Sequence, residues 1–211
     1  MSEKPPPERI PMRPERLLAF SDAVLAVIIT LMILEIKLPH IPEHATGREV
    51  WHGFAEVLPH LFAYLLSFAV LALFWINHHS LFHTVKRVDP NLLWHNCVVL
   101  FWASLVPFAT AFLGEHYQMP EATLFYGSVQ LLILLSSAWM VAYMFRKGLI
   151  DEALSPAVRK HYTRLNGLAL GLTVISIPLG YVSTWIAISL YLVVILLYVV
   201  PKPLDVRRTE E

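Results

Sequence analysis

The residues with chemistry in them gather in three stretches, each inside or beside a long apolar run. The first reads Arg16-Leu-Leu-Ala-Phe20-Ser21-Asp22 and continues through Val27, Thr30, Leu31 and Leu34 to Glu35. The second is Phe74-Trp75-Ile-Asn77-His78-His79-Ser80-Leu-Phe-His83, and the third is Asp89-Pro90-Asn91-Leu-Leu-Trp94-His95-Asn96. An ionisable side chain within a lipid-embedded helix costs about 2.5–3.5 kcal/mol on insertion scales, so Asp22 marks a functional site by default. It has two readings. As a structural group it caps a network with arginine or histidine, favoured by the positive end of its helix; as a direct group it ligates an ion. The structural reading is preferred.

Histidine density invites a metal hypothesis. His79 and His83 are four apart on one helical face, which suits two ligands of zinc or iron, and a membrane metalloenzyme would use His78, His79 and His83. No acidic residue stands at ligand spacing in that helix, as a membrane hydroxylase or metalloprotease needs. Hydrogen bonds between helices fit better, joining Asp22 and Arg16 to Asn77, His78, His79, Trp94 and Asn96. Ser21, Ser80 and Ser104 lack a nearby base and orienting acid. No catalytic residue, metal site or cofactor is therefore expected. Without a phosphate loop or a TVGYG carbonyl segment, any conduction must be selected by side chains.

The elements that position these residues follow from composition. Of 211 residues, 56% are hydrophobic and 15% charged, with mean hydropathy +0.57, which asks for lipid around the chain. Sixteen basic and sixteen acidic residues cancel and no basic patch with aromatics appears, so a nucleic-acid partner is not expected. The single cysteine, Cys97, excludes an internal disulfide and any CxxC motif. The first apolar segment is too long for a signal core and lacks a small-x-small site, so helix 1 should persist in the mature protein.

Spanning a hydrocarbon core of roughly 30 Å takes about 20 apolar residues in a helix, because lipid offers no partner for unpaired backbone groups. The sequence predicts six spans: 17–38, 51–78, 92–113, 122–145, 165–181 and 183–200. The last two are short, leaving a membrane-dipping hairpin as their alternative. Pro59, Pro107 and Pro178 predict kinks. Residues 1–13, with Pro5 to Pro7 and Pro11, read as a disordered arm, residues 14–201 as one membrane domain, and residues 202–211 as a tail. Both termini inside places every Lys and Arg except Lys37 and Arg48 on the cytoplasmic side, which orients the chain and supports an even span count. At 100° per residue Val27, Thr30, Leu31 and Leu34 share one stripe, with Asp22 on another face. Such a stripe is either a helix contact or the lining of a passage that gates by dewetting.

Arg16-x-x-x-Phe20-Ser21-Asp22, then Phe74-Trp75-x-x-His78-His79, then Leu105-Val-Pro107-Phe108 resemble the prokaryotic branch of the transmembrane protein 175 family of potassium channels, over about residues 13–201. The resemblance implies a plasma-membrane homotetramer of six-helix subunits whose first helices line a pore passing potassium in preference to sodium. It further implies constriction rings at Val27, Leu31 and Leu34, a selectivity role for Thr30, and a place for Arg16, Phe20, Ser21 and Asp22 in the polar network holding helix 1, to which the residues themselves add Trp75, Asn77, His78, His79, Trp94 and Asn96. Val27 departs from the family's usual Ile or Leu at the first ring. Relatives also pass protons. The rival reading is a proton-coupled secondary transporter or proton channel using Asp22, Glu35 and the histidines, against which stands the lack of an inverted repeat.

Overall fold

Proline and polar caps mark the starts of the first five α-helices. In a computed structural model of the protein, residues 13–39, 41–151 and 155–199 are described. The first helix, α1 (Pro14–Leu31), opens on a proline, whose missing N–H costs nothing in a first turn. It tightens into a 3-10 turn at Met32–Glu35. The predicted helix to residue 38 is thus corrected: the α-helix ends at Leu31, and Leu34 lies on the tighter turn. The next helix, α2 (Gly47–Phe82), starts where Glu49 accepts hydrogen bonds from the Thr46 N–H at 2.7 Å and the Thr46 hydroxyl at 2.8 Å. It extends past the predicted end and carries all of Trp75, Asn77, His78 and His79.

The third predicted span is two helices. After α3 (Pro90–Ala103), capped by Asp89 Oδ1 accepting from the Leu92 N–H at 2.7 Å, the chain breaks at Ser104–Leu105 and resumes as α4 (Val106–Glu115). Pro107 is the cause, since it has no N–H to offer the carbonyl of Ala103 and its ring crowds the preceding turn. Pro59 and Pro178, by contrast, lie inside continuous helices.

The remaining helices are α5 (Pro120–Arg146), α6 (Ser155–Leu179) and α7 (Thr184–Val199). At the end of α5, Gly148 takes φ +59° and lets the Leu149 N–H reach Met144 O at 3.0 Å and its own N–H reach Phe145 O at 3.3 Å, which closes the helix. The Val85–Ile150 bridge and a Lys86–Asp151 ion pair at 3.4 Å then tie the loop after α2 to the chain leaving α5.

Among the described residues, four stretches are long and apolar enough to cross a bilayer: Pro14–Glu35, Gly47–Phe82, Pro90–Glu115 and Pro120–Arg146. The apolar parts of α6 and α7, Asn166–Leu179 and Thr184–Tyr198, are shorter. α6 itself begins ten residues before the predicted fifth span, on a polar stretch. Apart from Arg13, the predicted disordered arm and the predicted tail lie outside the described residues. Two apolar cores hold the bundle. One, around Leu25, Leu66, Val106 and Tyr126, joins α1 to α2, α4, α5 and α7; the other, around Leu17, Phe82, Leu92 and Met144, joins the start of α1 to the end of α2, the start of α3 and the end of α5. This second core puts the Arg16–Asp22 start of the first stretch at the same end of the molecule as the other two.

Candidate functional site

One side of α1 is buried and the other is bare. Leu17, Ser21, Leu25, Ile28 and, on the 3-10 turn, Met32 recur at three- and four-residue spacing and are buried against the bundle. Val27 (54% exposed), Leu31 (48%), Leu34 (74%) and Thr30 face away from it. The Thr30 hydroxyl donates to Ala26 O at 2.8 Å, with Val27 O at 3.1 Å, so its proton serves its own helix and its lone pairs face outward. Spacing alone leaves this stripe as either contact or lining; no described residue of the chain covers it.

Two polar clasps fix the buried side. In the inner clasp the Ser21 hydroxyl donates to Leu17 O at 2.9 Å, which uses its only proton. Its oxygen can then only accept, and Asn96 Nδ2 donates to it at 2.9 Å. Asn96 thereby presents Oδ1 to His78 Nε2 at 2.9 Å, and that nitrogen must carry a proton. Ser21 and Asn96 are wholly buried and His78 is 3% exposed, so α1, α3 and α2 are joined where no water competes.

The outer clasp is half-exposed. The Trp75 indole N–H donates to Asp22 Oδ1 at 2.8 Å, and His79 Nδ1 approaches Asp22 Oδ2 at 3.1 Å. His83 Nε2 stands 3.0 Å from His79 Nε2. A carboxylate only accepts, so His79 Nδ1 donates to it, leaving Nε2 of the neutral ring to accept from His83. Asp22, His79 and His83 thus form one continuous donor–acceptor row from α1 to the end of α2.

The structure therefore brings together Ser21, Asp22, Trp75, His78, His79 and Asn96. Asn77 Nδ2 turns back to Leu73 O at 2.8 Å within its own helix. Arg16, Phe20 (52% exposed) and Trp94 (73%) stand outside both clasps. Among the described residues no group of three His, Cys, Asp or Glu side chains could hold a metal ion.

Sequence reasoning missed a second buried polar line, Thr110 Oγ1 to Ser67 Oγ at 2.7 Å and Ser67 Oγ donating to the Tyr126 hydroxyl at 3.1 Å, which joins α4, α2 and α5. Each member is one hydroxyl-bearing residue in an apolar run, and only their convergence makes them conspicuous. The missed cap partner Tyr143, whose hydroxyl donates to Asp89 Oδ2 at 2.6 Å, is of the same kind.

Long apolar helices clasped by polar pairs between them define a multi-pass helical membrane protein. The family described as "Endosomal/lysosomal potassium channel TMEM175" matches residues 16–107, which contain both clasps. A potassium channel of Chryseobacterium sp. (strain P1-3) is 36% identical over 194 residues, 88% of this chain and 92% of that one. The crystal structure of a lysosomal potassium-selective channel TMEM175 homolog from Chamaesiphon minutus superposes with TM-score 0.72 at 29% identity, over 88% of this chain and 96% of that one. The human endosomal/lysosomal proton channel TMEM175 is 29% identical over 171 residues, of which this chain covers 34% of the length. The chain belongs to the TMEM175 family, as its motifs suggested.

Proposed function

We propose that the protein is a potassium-permeable channel, not an enzyme, in which four copies surround a pore lined by α1. One observation carries the reading: Val27, Thr30, Leu31 and Leu34 stand bare on a helix whose opposite side is anchored by apolar packing and the Ser21–Asn96–His78 clasp. Four such helices give stacked rings of branched apolar side chains with one hydroxyl ring between them. A passing cation sheds water at Val27, Leu31 and Leu34, so selection of potassium over sodium rests on size and dehydration, without a TVGYG filter. The clasps then act as scaffold, holding each α1 at a fixed distance from the axis. The relatives named potassium channels support the permeant ion. The proposed subunit has six spans, α6 and α7 supplying the last two, with both termini cytoplasmic as the basic residues require, in the plasma membrane.

The deciding experiment is potassium flux into liposomes carrying the purified protein, compared with sodium and with Val27→Trp. Rapid potassium entry that needs no co-substrate and is stopped by the tryptophan is the expected result. Flux that appears only with a proton gradient and saturates at low rates would instead establish a coupled transporter.

A second reading has its own support. The Asp22–His79–His83 row is a chain of titratable groups in hydrogen-bond contact, and the vertebrate relatives are named proton channels. Proton permeability along this row predicts that His79→Phe lowers proton flux while potassium flux persists.

A further inference from the structure

A groove of about 580 Å³ runs between α5 and α6, lined by residues of these two helices and none of α1. On α5 its wall runs from Leu134 through Ala142 to Arg146, and on α6 from Arg159 through Gly167 to Leu170, one helical face in each case. α5 ends at Arg146 and α6 begins at Ser155, so the two packed helices run antiparallel. Arg146 and Arg159 therefore fall at one end of the groove, and Leu134 and Leu170 at the other. Ala142, Gly167 and both arginines are exposed, which leaves the groove open along its length. Short side chains hollow it out, and a Cβ on Gly167 would meet nothing within 4 Å.

The two ends ask for different chemistry. No carboxylate lines the groove, and neither arginine forms an ion pair or side-chain hydrogen bond with a described residue. Around them the sequence adds Lys147, Lys160 and Arg164 against Asp151 and Glu152, and Asp151 is already paired with Lys86 at 3.4 Å. That end takes an anion, and guanidinium groups suit phosphate, which they hold by parallel N–H···O bonds. The other end takes hydrocarbon. From Leu134 to Arg146 the wall is roughly 18 Å long at 1.5 Å per residue, close to one leaflet of a core of roughly 30 Å. α5 is one of the bilayer-crossing stretches, so lipid is what the groove meets. A soluble anion leaves the apolar length unfilled, and a lipid without net charge leaves the positive end uncompensated.

We propose that the groove between α5 and α6 binds one anionic phospholipid, with its phosphate at the Arg146–Arg159 end and an acyl chain along the wall toward Leu134 and Leu170. The apolar part of α6 starts only at Asn166, so Arg159 stands on its polar start, and the headgroup holds that start at the membrane surface. Binding stands on this groove alone and is independent of what ion the protein passes.

The test uses delipidated full-length protein in detergent, titrated with dioleoyl phosphatidylglycerol, dioleoyl phosphatidylcholine or glycerol 3-phosphate and read by native mass spectrometry. Each arginine near an anionic headgroup contributes about fivefold, so phosphatidylglycerol should bind about twenty-five-fold more tightly than phosphatidylcholine. Arg146→Gln and Arg159→Gln should each lower that ratio about fivefold, and Arg87→Gln, outside the groove, should leave it unchanged. Gly167→Leu fills the groove and keeps both arginines, so it should abolish the preference, and it serves if the glutamine variants do not fold. Equal retention of the two lipids, a ratio unchanged in both glutamine variants, or glycerol 3-phosphate bound as tightly as the lipid overturns the proposal. So does a Gly167→Leu protein that keeps the lipid but changes its number of copies, which would make the groove a contact between copies.

Discussion

At the scale of single residues, the two clasps differ by burial, and that difference is measurable. Asn96 is wholly buried and satisfies Ser21 and His78 together, so Asn96→Ala strands the buried His78 Nε2–H, while Ser21 keeps its own bond to Leu17 O. A loss of about 1–3 kcal/mol is expected, seen as a lowered unfolding midpoint of the detergent-purified protein. Trp75→Phe removes one bond to an Asp22 that is itself partly solvated, with 29% of its side chain exposed, and should cost less. A larger loss for Trp75→Phe would mean that the outer clasp, not the inner, holds α1. The motif residues were legible as polar groups misplaced in apolar runs. Which of them met was not, because pairing depends on helix rotation: Ser21 and Asp22 are neighbours in sequence yet serve different partners on different faces.

At the scale of elements, α1 is a two-sided helix and the accessibility of its positions tests the assignment. Cysteines at Val27 and Leu34 should react with water-borne thiol reagents and change flux, whereas a cysteine at the buried Ile28 should stay silent. Silence at both Val27 and Leu34 with reaction at Ile29 or Ile33 would place the passage on another face. The contact of α2 with α4 makes a separate prediction. A Cβ on Gly114 would lie 2.9 Å from His60 Cα, a backbone atom that cannot move aside, so Gly114→Val should push the helices apart and cut the yield of folded protein. Gly171 has open space around it, and Gly171→Ala should be neutral or stabilising by about 0.5–1 kcal/mol. The third span shows the limit of hydropathy reading. Its hydropathy stays high across the break at Ser104–Leu105, which follows from the missing N–H at Pro107.

At the scale of the whole molecule, the bare stripe on α1 leaves a single copy unfinished in the channel reading. Native mass spectrometry of the purified protein should give four copies, and a stable monomer or dimer would remove the proposed pore. Asp22→Ala should lower the tetramer yield more than it alters the ratio of potassium to sodium flux, because the carboxylate faces Trp75 and His79 and not the stripe. Normal assembly with changed ion preference would make Asp22 an ion ligand. Accessibility tags should find both termini in the cytoplasm; an external C-terminus would rule out an even number of spans.

What the sequence by itself determined is whatever depends on local composition and spacing. Long apolar runs demanded lipid and helices, prolines and Asp89 placed helix starts, and the Arg16 to Asp22 and Trp75 to His79 motifs led to the family. These signals are contained within a few turns of chain, so no partner is needed to read them. Only the tertiary structure decided which side of α1 is anchored and which is bare, that His78 is tied to Asn96 while its neighbour His79 is tied to Asp22, and that Thr110, Ser67 and Tyr126 meet. Those facts depend on how helices distant in sequence rotate against one another, and that rotation is set by packing of whole faces, where a half-turn exchanges the buried side for the exposed one.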